Sequence, residues 1–235
     1  MFKKKKILAL IIARKNSKGL RNKHLLQLGK RKIIEWSFYS TSKSKFIDKI
    51  ILSTDCKKII SLSKKFRVNA PFVRPSNLSS DNSKIKDVIN HTKNFLKYND
   101  KKKYDLLVLL QGSSPFRQAY HIDEAIKLFI KNQKKIQTLI SGFRISKKFN
   151  WIMGKNKKFI KFKLRNKMSD LRRQNCKDIY LPNGAIYISK YNEKLRSFYT
   201  QKTILYEMNE NSSVDIDTEQ DLKIARRLSI SKQKF

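Results

Sequence analysis

Two short, uninterrupted apolar runs limit what this chain can fold into. Ile7-Leu8-Ala9-Leu10-Ile11-Ile12-Ala13 gives way abruptly to Arg14-Lys15-Asn16-Ser17-Lys18-Gly19-Leu20-Arg21-Asn22-Lys23-His24. Tyr104-Asp105 leads into Leu106-Leu107-Val108-Leu109-Leu110, which stops just as sharply at Gln111-Gly112-Ser113-Ser114-Pro115. Runs this short without a polar face match strands covered on both sides, and such strands need helices above and below the sheet. The remaining sequence supplies them. Ile33 to Ser42 reads as a helix, Lys49 to Ser53 as a strand, and Lys57 to Phe66 as a helix that Thr54-Asp55 can cap. Val68 to Val73 is a third strand candidate, and Lys84 to Leu96 has helical spacing. Ile122, Ala125, Ile126, Phe129 and Ile130 define a further helix, and Thr138 to Phe143 a further strand. This alternation predicts an α/β fold, a mainly parallel twisted sheet with right-handed crossovers and helices on both faces. Ligands of such sheets sit at the carboxyl ends of the strands. That rule brings Arg14–Lys23, Ser53–Asp55, Arg74 and Gln111–Pro115 to one rim.

Beyond Phe143 the pattern weakens. Lys147 to Asn175 is basic and irregular, with Trp151 and Phe159 as candidate anchors. Asn183 to Ser189 and Thr203 to Met208 read as strands, and Asp215-Ile216-Asp217-Thr218 precedes a helix from Glu219 to about Ser229. At 235 residues the chain is expected to form one domain, with 145–202 as an excursion from it.

The charge balance is extreme. Lys and Arg number 55 against 18 Asp and Glu, a net +37. That balance favours anionic ligands. The lysines are spread along the whole length, and Ile, Asn, Phe and Tyr are abundant while Gly and Pro are scarce, the usage that AT-rich coding produces. A nucleic-acid binder is the other reading, although no helix concentrates the charge. Cys56 and Cys176 lack metal-binding spacing and read as free thiols of a reducing compartment. The basic start followed by seven apolar residues is too short for a signal peptide, and no run of about 18 apolar residues is present, so a cytoplasmic location and no membrane span are expected.

The loop after the first strand holds five cations in ten residues, Arg14 to Lys23, but follows neither G-x-x-x-x-G-K-[ST] nor G-x-G-x-x-G. A strand-anchored loop of this composition suits phosphate, and a solvated basic turn is the plainer reading. Asp215 and Asp217 alternate around Ile216, which in extended chain turns both carboxylates to one side. Two carboxylates suit Mg²⁺, which takes one or two of them with phosphate oxygens and water. Alternatively Asp217 or Thr218 caps the following helix. No Ser/His/Asp or Cys/His arrangement points to covalent catalysis.

In combination these segments resemble the CMP-sialic acid synthetases (acylneuraminate cytidylyltransferases). The resemblance covers Ala13–Lys23, Ile51-Leu52-Ser53-Thr54-Asp55, and Phe72-Val73-Arg74-Pro75 with Leu78-Ser79-Ser80-Asp81. It continues through Leu109–Arg117, Leu181–Ile188 and Val214–Thr218, in family order across nearly the whole chain. It implies a nucleotide-diphospho-sugar-transferase-like fold and cytidylyl transfer from CTP to a nine-carbon 2-keto sugar acid (a nonulosonate) with release of pyrophosphate. By the same resemblance, the nucleotide would be held by Arg14, Asn16, Ser17, Lys18, Gly19, Lys23, His24 and Arg74. Gln111, Arg173, Asn183 and Tyr187 would face the sugar acid, and Asp215 and Asp217 would carry Mg²⁺. Arg14, Lys23 and Asp217 would take the catalytic roles, neutralising phosphate charge and assisting deprotonation of the acceptor hydroxyl. A homodimer is implied, with Arg172, Arg173, Phe198 and Tyr199 reaching toward the partner. Departures are His24 for the usual Asn, Gly112 for Pro, Ser113 for Thr, Arg21 for Pro, and the segment Asn82–Ile85. A cytidylyltransferase for 3-deoxy-manno-octulosonate is the enzyme alternative, although the Ser17-Lys18-Gly19 loop and Asn183-Gly184 argue against it.

Overall fold

The computed structural model describes residues 2, 4–16, 18–100, 102–156, 159–162 and 176–231. In chain order the elements are β1 (Ile7–Ile12), β2 (Gln27–Leu28), β3 (Arg31–Lys32), α1 (Ile33–Ser42), β4 (Lys49–Ser53), α2 (Lys57–Ser63), α3 (Ile85–Asn99) and β5 (Leu106–Gln111). They continue with α4 (Ala119–Asn132), β6 (Thr138–Ile145), β7 (Met153–Asn156), β8 (Phe159–Phe162), β9 (Ile179–Lys190), β10 (Thr203–Glu207) and α5 (Glu219–Ser231).

The main sheet has the order β10-β6-β9-β5-β1-β4. β1 runs parallel to both β4 and β5, and β10 runs parallel to β6, while β9 is antiparallel to its two neighbours. The expected mainly parallel sheet is present, with β9 as the inserted reversal. Alternate residues of the central strands explain the two-sided cover. Ile7, Ala9 and Ile11 of β1 pack with Ile34 and Phe38 of α1 and with Ile122, Ile126 and Phe129 of α4. Leu8 and Leu10 turn the other way, into a cluster with Ile89 and Leu96 of α3, Tyr187 and Phe198. A third cluster seats α5 through Leu222 and Ala225 against Leu20, Leu28, Ile33 and Ile216. This last contact ties the basic loop to the segment carrying the paired aspartates.

Two local expectations change. The stretch Val68 to Val73 forms no strand; Asn69 makes a single parallel bridge with Ile51 beyond the edge of β4. Pro71 has no amide to donate and the chain bends at Phe72, so only one residue pairs. Asp55 does not cap α2 either, for its carboxylate accepts from the Lys15 amide at 2.8 Å and lies 3.9 Å from the Arg74 guanidinium. The competing ligands are the basic loop and Arg74, which outbid a helix end available to water. Of the excursion, residues 163–175 lie outside the described residues, and with them Arg172 and Arg173.

Candidate active site

The carboxyl ends of β1 and β5 open into a cleft of about 280 Å³. Its floor and basic wall come from Ile12, Ala13, Arg14, Lys23, His24 and Arg74, its far side from Gln111, Ser113 and Asp217. Leu78, Ser80, Asp81, Ser83, Ile85 and Val88 close the third side. The topology puts β1 between β4 and β5, so loops after all three strands converge here.

The basic loop is braced from below. The buried Arg74 guanidinium donates through Nη2 to the Ala13 carbonyl at 2.9 Å and through Nε to Ser79 Oγ at 3.1 Å. Burial weakens its hold on the proton and Asp55 opposes that effect. Asn22 takes the left-handed conformation at φ 54°, which turns the chain so that Lys23 and His24 point inward. Lys23 Nζ donates to Asp217 Oδ1 at 2.5 Å. His24 Nδ1 stands 3.2 Å from the Arg14 carbonyl. That oxygen only accepts, so Nδ1 carries the hydrogen. Burial, reinforced by the charge of Lys23, pushes the His24 pKa down to about 3, and the imidazole is neutral at pH 7. Gly112 leaves room for this ring: a Cβ there would stand 2.5 Å from Ile34 Cδ1 and 3.1 Å from His24 Cδ2.

The acidic side is assembled differently. Ile216 is fully buried and its amide donates to the Ser113 carbonyl at 3.1 Å, fixing Asp215 and Asp217 beside the end of β5. Thr218 and Asp221 form a reciprocal cap: Thr218 N and Oγ1 each donate to Asp221 Oδ2 at 2.8 Å, and Asp221 N donates to Thr218 Oγ1 at 3.2 Å. Asp217 N also donates to Asp221 Oδ2, at 3.1 Å. The cap therefore rests on Thr218 and Asp221, leaving the Asp217 carboxylate, with 67% of its side chain exposed, to face Lys23 and the cleft. Asp215 is mostly enclosed; burial raises its pKa, Ser113 offsets that through a hydrogen bond, and the charge of Asp217 adds to the rise. Gly19 approaches this segment so closely that a Cβ would stand 2.3 Å from the Asp217 carbonyl.

Among the expected site residues, Arg14, Lys23, His24, Arg74, Gln111 and Asp217 share one cleft, with Asp215 behind it. Asn16 and Lys18 are exposed at its mouth, and Ser17 lies outside the described residues. Tyr187 lines a neighbouring apolar cavity of about 430 Å³ with Leu109, Ile85, Phe198 and Tyr199; Ile85 is common to both spaces. Its hydroxyl pKa is raised, first by burial and then by a hydrogen bond with Tyr199. Asn183 departs from expectation. Its Oδ1 accepts from Ser141 Oγ and the Ala185 amide, and its Nδ2 donates to Ser213 Oγ and Met208 Sδ. With both polar atoms of its side chain bound inside the protein, it supports the irregular step of β9 at Gly184, where φ is +70°.

Sequence reasoning passed over Asp81, which forms an ion pair with Arg14 and stands 3.7 Å from Lys18. The signal was an acid kept in a polar loop of so basic a chain. It also passed over the fully buried Arg117.

A family model described as cytidylyltransferase matches residues 8–234. The chain belongs to the cytidylyltransferase family. It is 31% identical over 226 residues to the N-acylneuraminate cytidylyltransferase of Escherichia coli O18:K1:H7, an alignment covering 94% of this chain and 51% of that one. The chain thus spans about half the length of that curated relative. The CMP-N,N'-diacetyllegionaminic acid synthase of Campylobacter jejuni is 30% identical over 224 residues, with 94% of each chain covered. Among solved structures, a CMP:2-keto-3-deoxy-manno-octonic acid synthetase complexed with CTP superposes with a TM-score of 0.69 at 14% identity. That match covers 98% of this cytidylyltransferase-family chain and all of the other, and establishes a common fold.

Proposed function

We propose that this chain transfers CMP from CTP to the anomeric hydroxyl of a sialic-acid-like nine-carbon 2-keto sugar acid, releasing pyrophosphate. The observation that carries this reading is a single cleft in which Arg14 and Lys23 face Asp217, with Asp215 behind, at the carboxyl ends of β1 and β5. The names of the two curated relatives support a nonulosonate acceptor.

In the transfer, the acceptor oxygen bonds to the α-phosphorus and the bond from that phosphorus to the bridging oxygen breaks, so pyrophosphate leaves with the electron pair. Such a reaction demands alignment and charge neutralisation more than covalent help. Arg14 and Lys23 are placed to neutralise the triphosphate, and Asp81 holds Arg14 until an anion competes for it. The exposed Asp217 carboxylate is the group available to accept the hydroxyl proton. Gln111, ending β5, can both donate to and accept from the sugar acid.

The donor set fits a divalent cation only in part. Among the described residues no group of three His, Cys, Asp or Glu side chains could hold a metal. Two carboxylates, one with a buried oxygen lacking any partner, are what Mg²⁺ takes when a nucleotide supplies further oxygens. Asp215 and Asp217 would hold it, and bound there it would offset charge on the phosphates.

We further infer a homodimer. Phe149, Ile152, Met153, Tyr180 and Leu181 expose large apolar side chains on the excursion around β7 and the start of β9. Such a patch suits a partner subunit. A cytoplasmic location follows from CTP as substrate.

Incubation with CTP, Mg²⁺ and, separately, neuraminate, legionaminate, pseudaminate and 3-deoxy-manno-octulosonate derivatives tests the acceptor. Pyrophosphate release with one of the nine-carbon acids is expected. Release with the eight-carbon acid alone overturns the nonulosonate reading.

A further inference from the structure

Asp81 lines the cleft from the side that no strand supplies. Its two carboxylate oxygens take two cations of the basic loop. Oδ1 forms an ion pair with Arg14 Nη2, and Oδ2 stands 3.7 Å from Lys18 Nζ. Two oxygens of one anion shared between two cations is also how a phosphate group is held. A carboxylate of the chain itself thus occupies the position where the basic loop would hold an anionic ligand.

The segment that carries Asp81 is built as a unit. The Leu78 amide donates to the Pro75 carbonyl at 3.0 Å, the Ser79 amide to the Ser76 carbonyl at 2.9 Å, and the Ser83 amide to the Ser80 carbonyl at 3.2 Å. Ser83 Oγ accepts from the Ser80 amide at 3.0 Å and donates to the Asn77 carbonyl at 3.1 Å. Arg74 anchors the near end through Ser79 Oγ, and α3 begins just past the far end. Among the described residues, every hydrogen bond of residues 76–83 stays within 74–83. The contacts of Asp81 with Arg14 and Lys18 are, among the described residues, the segment's only polar ties to the basic loop. Breaking them leaves the segment's own hydrogen bonds intact. Arg14 and Asp81 are both partly open to water, and ion pairs so placed are weak enough for a ligand carrying more negative charge to displace.

We propose that Asp81 is an internal competitor for the phosphates: it neutralises Arg14 and Lys18 in the empty cleft, yields them to the triphosphate, and takes them back as pyrophosphate leaves. This rests on the reading of the cleft as the CTP site. Asp81 thereby weakens the hold on CTP and on pyrophosphate alike, which favours release of the product. The sign distinguishes this role from a structural one. Removing a residue that only shapes the wall weakens binding, whereas removing a competitor strengthens it.

The test is calorimetric titration of the full chain with CTP and, separately, with inorganic tripolyphosphate. The parent is compared with Asp81→Asn and with Asp87→Asn, which makes the same charge change in the first turn of α3. Asp81→Asn is expected to bind both ligands about fivefold more tightly, the size of one exposed ion pair released. Asp87→Asn is expected to match the parent. Unchanged or weaker binding by Asp81→Asn overturns the proposal, as does an equal gain in Asp87→Asn, which would reduce the effect to net charge. Should Asp81→Asn misfold, Asp81→Ser carries the same criterion. Turnover of CTP by the parent with unchanged affinity in Asp81→Asn overturns the competitor and leaves the transfer reading standing. Tighter tripolyphosphate binding by Asp81→Asn without turnover by the parent does the reverse, and no binding of either ligand by any of the proteins overturns both.

Discussion

His24 carries a measurable pH signature. Its folded pKa, pushed down to about 3, lies below the ordinary value of 6.5, so between those values the unfolded chain binds a proton that the folded chain refuses. The associated stability is fully present above about pH 6.5 and is lost as pH falls toward 3. Linkage sets the slope at up to about 1.4 kcal/mol per pH unit. Chemical unfolding across that window is expected to show a steeper decline for the parent than for His24→Gln, and parallel curves would contradict the buried neutral imidazole. The sequence marked His24 as a departure without revealing what it does. The reason is distance along the chain: its environment is made by Arg14, Arg74, Gly112 and Ile34, which only the folded sheet brings together. Asn183 depends on distant neighbours in the same way. Its place in a resembling segment suggested a ligand contact, but its amide is consumed by Ser141, Ser213, Met208 and Ala185, neighbours that no local pattern identifies.

At the scale of elements, the strands and helices that carry long apolar periodicity were readable. α1 and β4 span the residues expected of them, and β1, β5 and α5 differ from expectation only at their ends. Their signal is local because each strand is covered on both faces and each helix buries one stripe. The failed strand near Val68 was not readable. Val68, Phe72 and Val73 suit a strand intrinsically, but Pro71 cannot donate to a ladder and the bend at Phe72 denies the stretch a partner beyond Asn69. α5 matters to the site through its first turn. Asp221 satisfies the amides of Asp217 and Thr218 and so holds the carboxylate of Asp217 in place. Asp221→Ala is expected to cost about 1 kcal/mol of stability, as lost caps do. It should also lower kcat several-fold while KM for CTP changes little, because the basic wall is untouched. Steady-state kinetics alongside thermal unfolding checks this; unchanged kcat at reduced Tm would confine the cap to a structural role.

Over the whole molecule, the charge of +37 neither makes the fold nor locates the site. The informative charges are the few acids, since Asp55, Asp81, Asp215, Asp217 and Asp221 all converge on the cleft or its supports. The exposed apolar side chains of the excursion lead to the dimer prediction. Sedimentation at assay concentration is expected to show a dimer, and Leu181→Glu to shift it to monomer; a parent that sediments as a monomer contradicts the assembly. The central claim is that one cleft neutralises CTP with Arg14 and Lys23 and completes the transfer with Asp217. Pyrophosphate release from CTP plus the preferred nonulosonate, compared between the parent and Asp217→Asn at equal fold stability, tests it most directly. The account predicts release that depends on the sugar acid and falls at least a hundredfold in the variant, about the size of lost acid–base assistance. Equal release by both proteins, or none by the parent with any nonulosonate, would contradict it.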